Sequence, residues 1–271
     1  MRFMEGYREK DVVRFEGHST RRLSEPVAIE AALSIKVVSY DGVEFSLGIT
    51  MRTPGQDEDL ILGHCITEGV IDSAAEVQDV EILQNDAKVY LSKQSNFQSE
   101  DHVRRSTRSS ACGICGKESI SNLLHMHGPT LDERLSLDSG MITESVRELK
   151  ERQDIFRVTG GTHACALFSH SGRLSLIRED VGRHNALDKL IGAMSKQQLN
   201  PMDFPLVVVS GRASFELVQK SIRAGLPVFA AVGAPSTLAV ELATEHGLTL
   251  VAFVREDRMT VYSGRRRINF L

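Results

Sequence analysis

Cys112-Gly113-Ile114-Cys115-Gly116 places two thiols two residues apart. At that spacing cysteines can share a proton, close a disulfide, clamp a metal or hold a transferable sulfur. Arg104, Arg105 and Arg108 lie just upstream, and an amphipathic helix is expected just downstream, over Lys117–His125. Positive charge and a helix N-terminus both favour thiolate over thiol. The stretch from Gln94 to Ser110 is rich in serine and arginine and has no apolar periodicity, so it reads as a mobile loop. A reactive sulfur on a flexible arm is the first reading. The structural alternative is half a zinc site, which needs a second CxxC or a suitably spaced His pair. His125 and His127 are the nearby candidates, but residues two apart on a helix face different ways. A zinc-deaminase site needs an H-x-E partner before the cysteines, and none precedes them. A thioredoxin-like CxxC belongs after a first strand in a much smaller βαβ context.

A second group of residues could hold an anion. Asp180-Val181-Gly182-Arg183-His184, Ser210-Gly211-Arg212 and Val232-Gly233-Ala234-Pro235-Ser236 each follow an apolar strand and lead into a helix. Such turns gather where the strands of a parallel sheet end, and there backbone N–H groups at helix N-termini favour phosphate. Arg183 and Arg212 can add bidentate contacts. Thr159-Gly160-Gly161-Thr162-His163 makes a further Gly-rich corner. None of these is a Walker A loop or a Rossmann fingerprint. The bland reading is that the glycines only make tight turns. His163 and His184 could act as acids or donors beside a phosphate, or could simply fix their own loops. Cys65 and Cys165 sit in apolar contexts and read as buried small hydrophobes.

The elements that must position these groups fall into two parts. Residues 1–23 are charged, and residues 24–95 are β-rich, with a hairpin between Pro26 and Met51, a helix over Asp57–Gly69 and a hairpin in VEILQNDAKVYL. The mobile loop covers 96–111, and an α/β domain covers 112–271. In that domain helices are expected over Ile142–Phe156, Asn185–Met194, Ser214–Ala224 and Thr237–His246, with strands ACALFS, RLSLIRE, PLVVVS, PVFAAV and LTLVAFV. Near-continuous apolar strands between helices predict a mostly parallel sheet covered on both faces. Phe253 and Val254 would close the last strand. The chain has 271 residues and a net charge of −4, which argues against general nucleic-acid binding. No apolar run is long enough to cross a membrane, and the N-terminus lacks a signal core. A cytoplasmic protein is therefore expected. Four cysteines in this length do not make a secreted disulfide scaffold.

Taken together, SEPVAIE, ITMRTPGQDEDLILGHCITEGVI, SSACGICG, VTGGTHACALF, REDVGRHNALDKLIG, SGRASFELVQKSIRAGLPVFAAVGAPSTLAVELA and FVREDRMTVYSG resemble the formate dehydrogenase accessory sulfurtransferase family in order, from about Ser24 to Ile268. The resemblance implies a homodimer with a cytidine-deaminase-like three-layer α/β/α domain that lacks the deaminase metal site. It implies a sulfurtransferase that receives persulfide sulfur from a cysteine desulfurase. The sulfur passes to the bis-molybdopterin guanine dinucleotide form of the molybdenum cofactor, needed by formate dehydrogenase. On this resemblance the persulfide falls on Cys112 with Cys115 as companion, and the cofactor-binding stretch on Phe253, Val254, Arg255, Glu256, Asp257 and Arg258. Arg183 and Arg212 would reach phosphate oxygens, and guanosine diphosphate should bind as a fragment. His64-Cys65 and Cys165 depart from the family's apolar residues at those positions. Two other classes stay open: a cofactor-binding chaperone without sulfur transfer, and a zinc-dependent nucleotide hydrolase.

Overall fold

The computed structural model describes residues 6–97, 129, 131 and 134–270. Cys112, Cys115, the expected Lys117–His125 helix, His125 and His127, and all but the first residues of the 96–111 loop lie outside the described residues.

A six-stranded sheet carries the C-terminal half, in the order β13-β12-β11-β10-β8-β9. Its strands are β8 (His163–Phe168), β9 (Leu174–Asp180), β10 (Leu206–Val209), β11 (Val228–Ala231), β12 (Thr249–Ala252) and β13 (Thr260–Ser263). LVVV, VFAA and TLVA are buried throughout, as strands covered on both faces must be. Alternate residues feed two separate cores. Cys165, Leu167, Val207, Val209, Phe229, Ala231, Leu250 and Ala252 face one cluster. Ala164, Ala166, Phe168, Leu206, Val208, Val228, Ala230 and Val251 face the other. The first is covered by α1 (Asp57–Thr67), α4 (Arg183–Lys196), α5 (Phe215–Arg223) and α6 (Thr237–Glu245), and the second by α2 (Ser139–Glu151). The result is a three-layer α/β/α body.

The mostly parallel sheet expected from the sequence is in fact mixed. β10, β11 and β12 pair in parallel, while β8–β10, β8–β9 and β12–β13 are antiparallel. The short turn Ser169–Arg173 can join β8 to β9 only as a hairpin. Because β8 opposes both neighbours, β9 still runs the same way as β10, β11 and β12. Their carboxyl ends therefore share one edge, together with the start of β8.

A four-stranded sheet, β4-β3-β6-β5, lies in the N-terminal part. It comprises β3 (Ala31–Val38), β4 (Glu44–Arg52), β5 (Val77–Leu83) and β6 (Asp86–Leu91), and both expected hairpins are present. Leu33, Ile35, Val37, Val89 and Leu91 join the same apolar cluster as α1 and α4. β1 (Tyr7–Glu16) and β2 (Ser19–Ala28) form a mostly exposed hairpin in and just past the charged N-terminal segment. Two bridging strands, β7 (Leu137–Asp138) and β14 (Ile268–Asn269), pair with each other.

One helix departs from the sequence reading. The expected Ile142–Phe156 helix is two: α2, with Ile142, Val146 and Leu149 buried in one stripe, and α3 (Asp154–Thr159). The Glu179 carboxylate of β9 accepts hydrogen bonds from Ile155 N and Phe156 N, both at 2.9 Å, and so starts the new helix. α1 and α4 cross with their backbones in contact. A Cβ on Gly63 would lie 1.8 Å from Asp188 O, and one on Gly192 would lie 1.9 Å from Asp59 O, so only glycine fits at either position.

Candidate functional site

The turns at the carboxyl edge pack against one another in strand order. A Cβ on Gly211 would come within 3.4 Å of His163 Nδ1 at the start of β8. Gly233 N donates to Gly211 O at 2.8 Å, and a Cβ on Gly233 would lie 2.9 Å from both Gly211 O and Arg212 Cγ. Phe253 N in turn donates to Gly233 O at 3.3 Å. Gly233 is therefore required by the approach of one turn to the next, which is the bland reading of that glycine. The consequence is a continuous ladder from His163 through Gly211 and Gly233 to Phe253.

One end of the ladder is anchored by buried charge. Asp180 and Lys189 form an ion pair at 2.8 Å, with side chains 0% and 1% exposed. Asp180 also accepts from Thr53 N at 3.0 Å, Gly182 N at 2.8 Å and Asn185 Nδ2 at 3.2 Å. Lys189 Nζ donates to Thr53 O at 2.8 Å, and Val181 N donates to Thr53 Oγ1 at 3.0 Å. A buried charge without such partners would be strongly destabilising, so the N-terminal Arg52-Thr53 corner and the β9–α4 turn hold each other. That fixes Arg183 and His184, the first residues of α4.

Around them is a cluster that the sequence reading resolved only in part. His184 Nε2 lies 2.7 Å from Glu216 Oε2 in the first turn of α5. The close contact with His184 holds the Glu216 carboxyl below its usual range, against the effect of burial, with Lys220 and Arg183 assisting. Burial pushes the His163 imidazole below its ordinary value, and the charges of Arg183 and His184 push it further, with Asp180 opposing. Arg183 Nε and Ser214 Oγ are buried without a hydrogen-bond partner, and His184 Nε2, close as it is to Glu216, is not aligned for a hydrogen bond. Ser214 is the N-cap residue of α5 yet makes no side-chain cap, whereas Ser236 Oγ caps α6 by accepting from Ala239 N at 3.2 Å. Glu216 was not singled out by motif; its signal was only an acid in a helix first turn.

At the other end, β12 stops at Ala252, so Phe253 does not continue the strand as expected. Phe253 takes a left-handed φ of 53° and is 41% exposed. Such a backbone costs roughly 1–2 kcal/mol for a non-glycine residue and is characteristic of ligand-holding turns. Val254 is fully buried in the core, with its N–H donating to Ala231 O at 3.2 Å, so its side chain cannot face a ligand. Arg255 N donates to Arg258 O at 2.8 Å and closes a turn. The two arginines therefore close over one hollow of about 270 Å³, lined by Phe253, Arg255, Arg258 and Thr260. Arg255 Nη1 also donates to Val232 O at 2.7 Å and Val254 O at 2.8 Å, while Glu256, Asp257, Arg258 and Arg212 are exposed.

Among the other residues considered, Cys65 and Cys165 are buried free thiols. Burial, with Asp188 and Glu68 adding, pushes Cys65 up to about 12. Burial, with Asp188 and Asp180, raises Cys165 as well. Arg267 of the C-terminal arginine run is buried and donates to Gly247 O at 2.6 Å, so it serves the fold. No group of three or more His, Cys, Asp or Glu side chains that could hold a metal occurs among the described residues. None of their helices is long and apolar enough to cross a membrane.

Comparison with known proteins extends these observations. A family model described as the FdhD/NarQ family matches residues 29–269. A sulfur carrier protein FdhD from Thermoplasma acidophilum is 38% identical over 252 residues, covering 90% of this chain and 87% of that protein. The protein of that name from Streptomyces avermitilis is 43% identical over 235 residues, covering 82% and 83%. A crystal structure of a candidate formate dehydrogenase accessory protein from Desulfotalea psychrophila superposes with a TM-score of 0.77 at 27% identity, over 97% of this chain and all of that one.

Proposed function

The chain belongs to the FdhD/NarQ family, and we propose that it carries sulfur for the maturation of formate dehydrogenase. In this reading the Cys112 thiolate attacks the outer sulfur of a cysteine desulfurase persulfide. A Cys112 persulfide forms and the donor's thiolate leaves. Cys115 stands by as relay or resolving thiol. The sulfur then passes to the molybdenum cofactor in its bis-molybdopterin guanine dinucleotide form, which is the substrate here. The protein acts as a cytoplasmic homodimer, and its three-layer body is cytidine-deaminase-like without that fold's metal.

The observation that carries the reading is the ladder of turns between His163 and Phe253. A guanine dinucleotide presents a flat base and a pyrophosphate. Phe253, exposed and held in a strained turn, offers a face for stacking. Arg255 and Arg258 line the same hollow, where a guanidinium can meet a pyrophosphate. Cys65 and Cys165, buried with raised thiol values, are poor sulfur acceptors, which leaves the CxxC pair.

The test is mass spectrometry of the full chain after incubation with a cysteine desulfurase and cysteine. One added sulfur should map to Cys112. Cys112→Ala should still bind guanosine diphosphate but fail to activate formate dehydrogenase. Full activation by that variant would overturn sulfur transfer in favour of a cofactor-holding chaperone. Arg258→Ala is a cleaner probe of the nucleotide site than Arg255→Ala, because Arg255 also ties down two carbonyls.

A further inference from the structure

A groove of about 1480 Å³ runs along the flank of the helical layer, where α1, α4 and β5 meet. Leu62 and Ile66 of α1, Ile71, Met194 of α4, Val80 of β5 and Met202 line it with apolar surface. The charges on its rim are already paired. Lys196 Nζ lies 2.8 Å from Glu58 Oε2, and Arg223 Nη2 lies 3.2 Å from Asp72 Oδ1. An occupant is therefore recognised by an apolar face rather than by charge.

The chain itself supplies such a face beside the groove. Pro129 lines the groove, and a Cβ on Gly225, just past α5, would lie 3.1 Å from Pro129 Cγ. Leu131 is buried in the apolar cluster that α1 and α4 cover. The chain is thus pinned at the groove, directly after residues 117–127. Those residues lie outside the described ones, but their sequence puts Ile120, Leu123 and Leu124 at i, i+3 and i+4. At helical spacing Glu118, Ser121, Asn122 and His125 fall on the opposite face. Gly128-Pro129 follows as a helix stop. A helix over 117–127 is about 16 Å long and about 10–12 Å across, a cylinder of roughly 1300–1900 Å³, so the groove is of the right size for it. A helix this short is marginal in water unless its apolar face is buried. Two residues of chain reach at most about 7 Å. The tether through Pro129 therefore holds that face at the groove at an effective concentration of about millimolar or more, ahead of any foreign partner.

We propose that the groove is the seat of the chain's own residues 117–127, which dock as an amphipathic helix with Ile120, Leu123 and Leu124 turned into it. Cys115 stands two residues ahead of this segment, and Cys112 three before that. The groove therefore fixes where the cysteine pair lies, whatever chemistry the pair performs.

The experiment is hydrogen exchange of the full chain read by mass spectrometry. Amides of 117–127 should exchange at least tenfold more slowly than in the free peptide of that sequence. The double substitution Leu123→Asp, Leu124→Asp should abolish this protection, while the buried strand Leu206–Val209 stays protected as in wild type and so reports an intact fold. From the other side, Val80→Asp and Met202→Asp each place a charge in the groove and should abolish it too. Met202 sits in a turn rather than a sheet, so its variant tests the seat even where Val80→Asp fails to fold. Exchange of 117–127 in the wild type at the free-peptide rate overturns the proposal. Protection that survives Met202→Asp in a folded protein also overturns it, because the segment is then seated elsewhere. So does protection that fades on dilution to the monomer, which assigns the groove to a second copy.

Discussion

Gly192→Ala tests the packing on which the whole edge depends. The new methyl would lie 1.9 Å from Asp59 O and 2.7 Å from Gly63 N, and backbone atoms cannot swing aside. Real Cβ contacts essentially never fall below 3.0 Å, so α1 and α4 must separate by about 1 Å or more, opening a packed core. Overpacking of this kind costs about 3 kcal/mol, the upper part of the usual range. In a protein of this size that lowers the melting temperature by about 6–12 °C. Thermal unfolding followed by circular dichroism reads it directly. Because α4 begins with Arg183 and His184, guanosine diphosphate should also bind more weakly to the folded variant. Gly63→Ala pushes the same two helices apart, through Asp188 O at 1.8 Å, so the double variant should cost less than the sum of the singles. A melting temperature within about 2 °C of wild type would refute the argument, since no overpacking of this size is so cheap.

Phe253→Gly should weaken guanosine diphosphate several-fold with little net change in stability, because the roughly 1 kcal/mol of released left-handed strain is offset by the lost burial of the ring and the added chain entropy of glycine; calorimetry and denaturant midpoints check the two arms. Native protein treated with iodoacetamide at pH 8 should leave Cys65 and Cys165 unmodified, because both are buried thiols with raised values; peptide mapping after unfolding should then find both reactive. For Asp188, burial favours the neutral acid, but Lys220 and His64 outweigh it and hold the carboxyl below its ordinary value. The stability this supplies is complete above the ordinary aspartate range and is lost as pH falls through the depressed folded value. The urea midpoint should therefore drop on acidification below about pH 4, and Asp188→Asn should flatten that part of the profile. The raised Lys220 value gives the mirror case, a contribution present below the ordinary lysine value and lost as pH rises through the folded one.

What the sequence made legible was whatever depends on local periodicity. LVVV, VFAA and TLVA are short and wholly apolar, and they are the doubly covered strands of the sheet. Ile142, Val146 and Leu149 repeat at helical spacing, and they are the buried stripe of α2. The turns after these strands could therefore be placed on one edge before any coordinates. What failed depends on distant partners. The break between α2 and α3 is made by Glu179, far along the chain, which supplies acceptors for two α3 N–H groups. β1 and β2 escaped notice because both of their faces carry charge, with pairs such as Arg21–Glu16 where apolar alternation would have signalled a strand. Phe253 looked like strand because its neighbours are apolar. Its conformation is set by Gly233 O, which draws the Phe253 N–H out of line.

The order of the turns also bears on what the edge can hold. His163, Gly211, Gly233 and Phe253 stand at the ends of β8, β10, β11 and β12, which are consecutive in the sheet. Three strand spacings amount to about 14 Å. That is far longer than one phosphate group, so a single small anion cannot engage both the Arg183–Ser214 corner and the Arg255–Arg258 hollow. An extended ligand with several anionic groups can, and Gly233 permits it by letting adjacent turns meet at backbone distance. Either one dinucleotide spans the ladder or two nucleotide ends divide it. The two cases differ in a simple observable. If one ligand spans the edge, Arg183→Ala and Arg258→Ala should each weaken guanosine diphosphate, and their effects should be coupled. If the corner and the hollow serve separate ends, the two losses should add, with a stoichiometry of two per chain. Coupled losses at a stoichiometry of one would require a continuous site from β8 to β12.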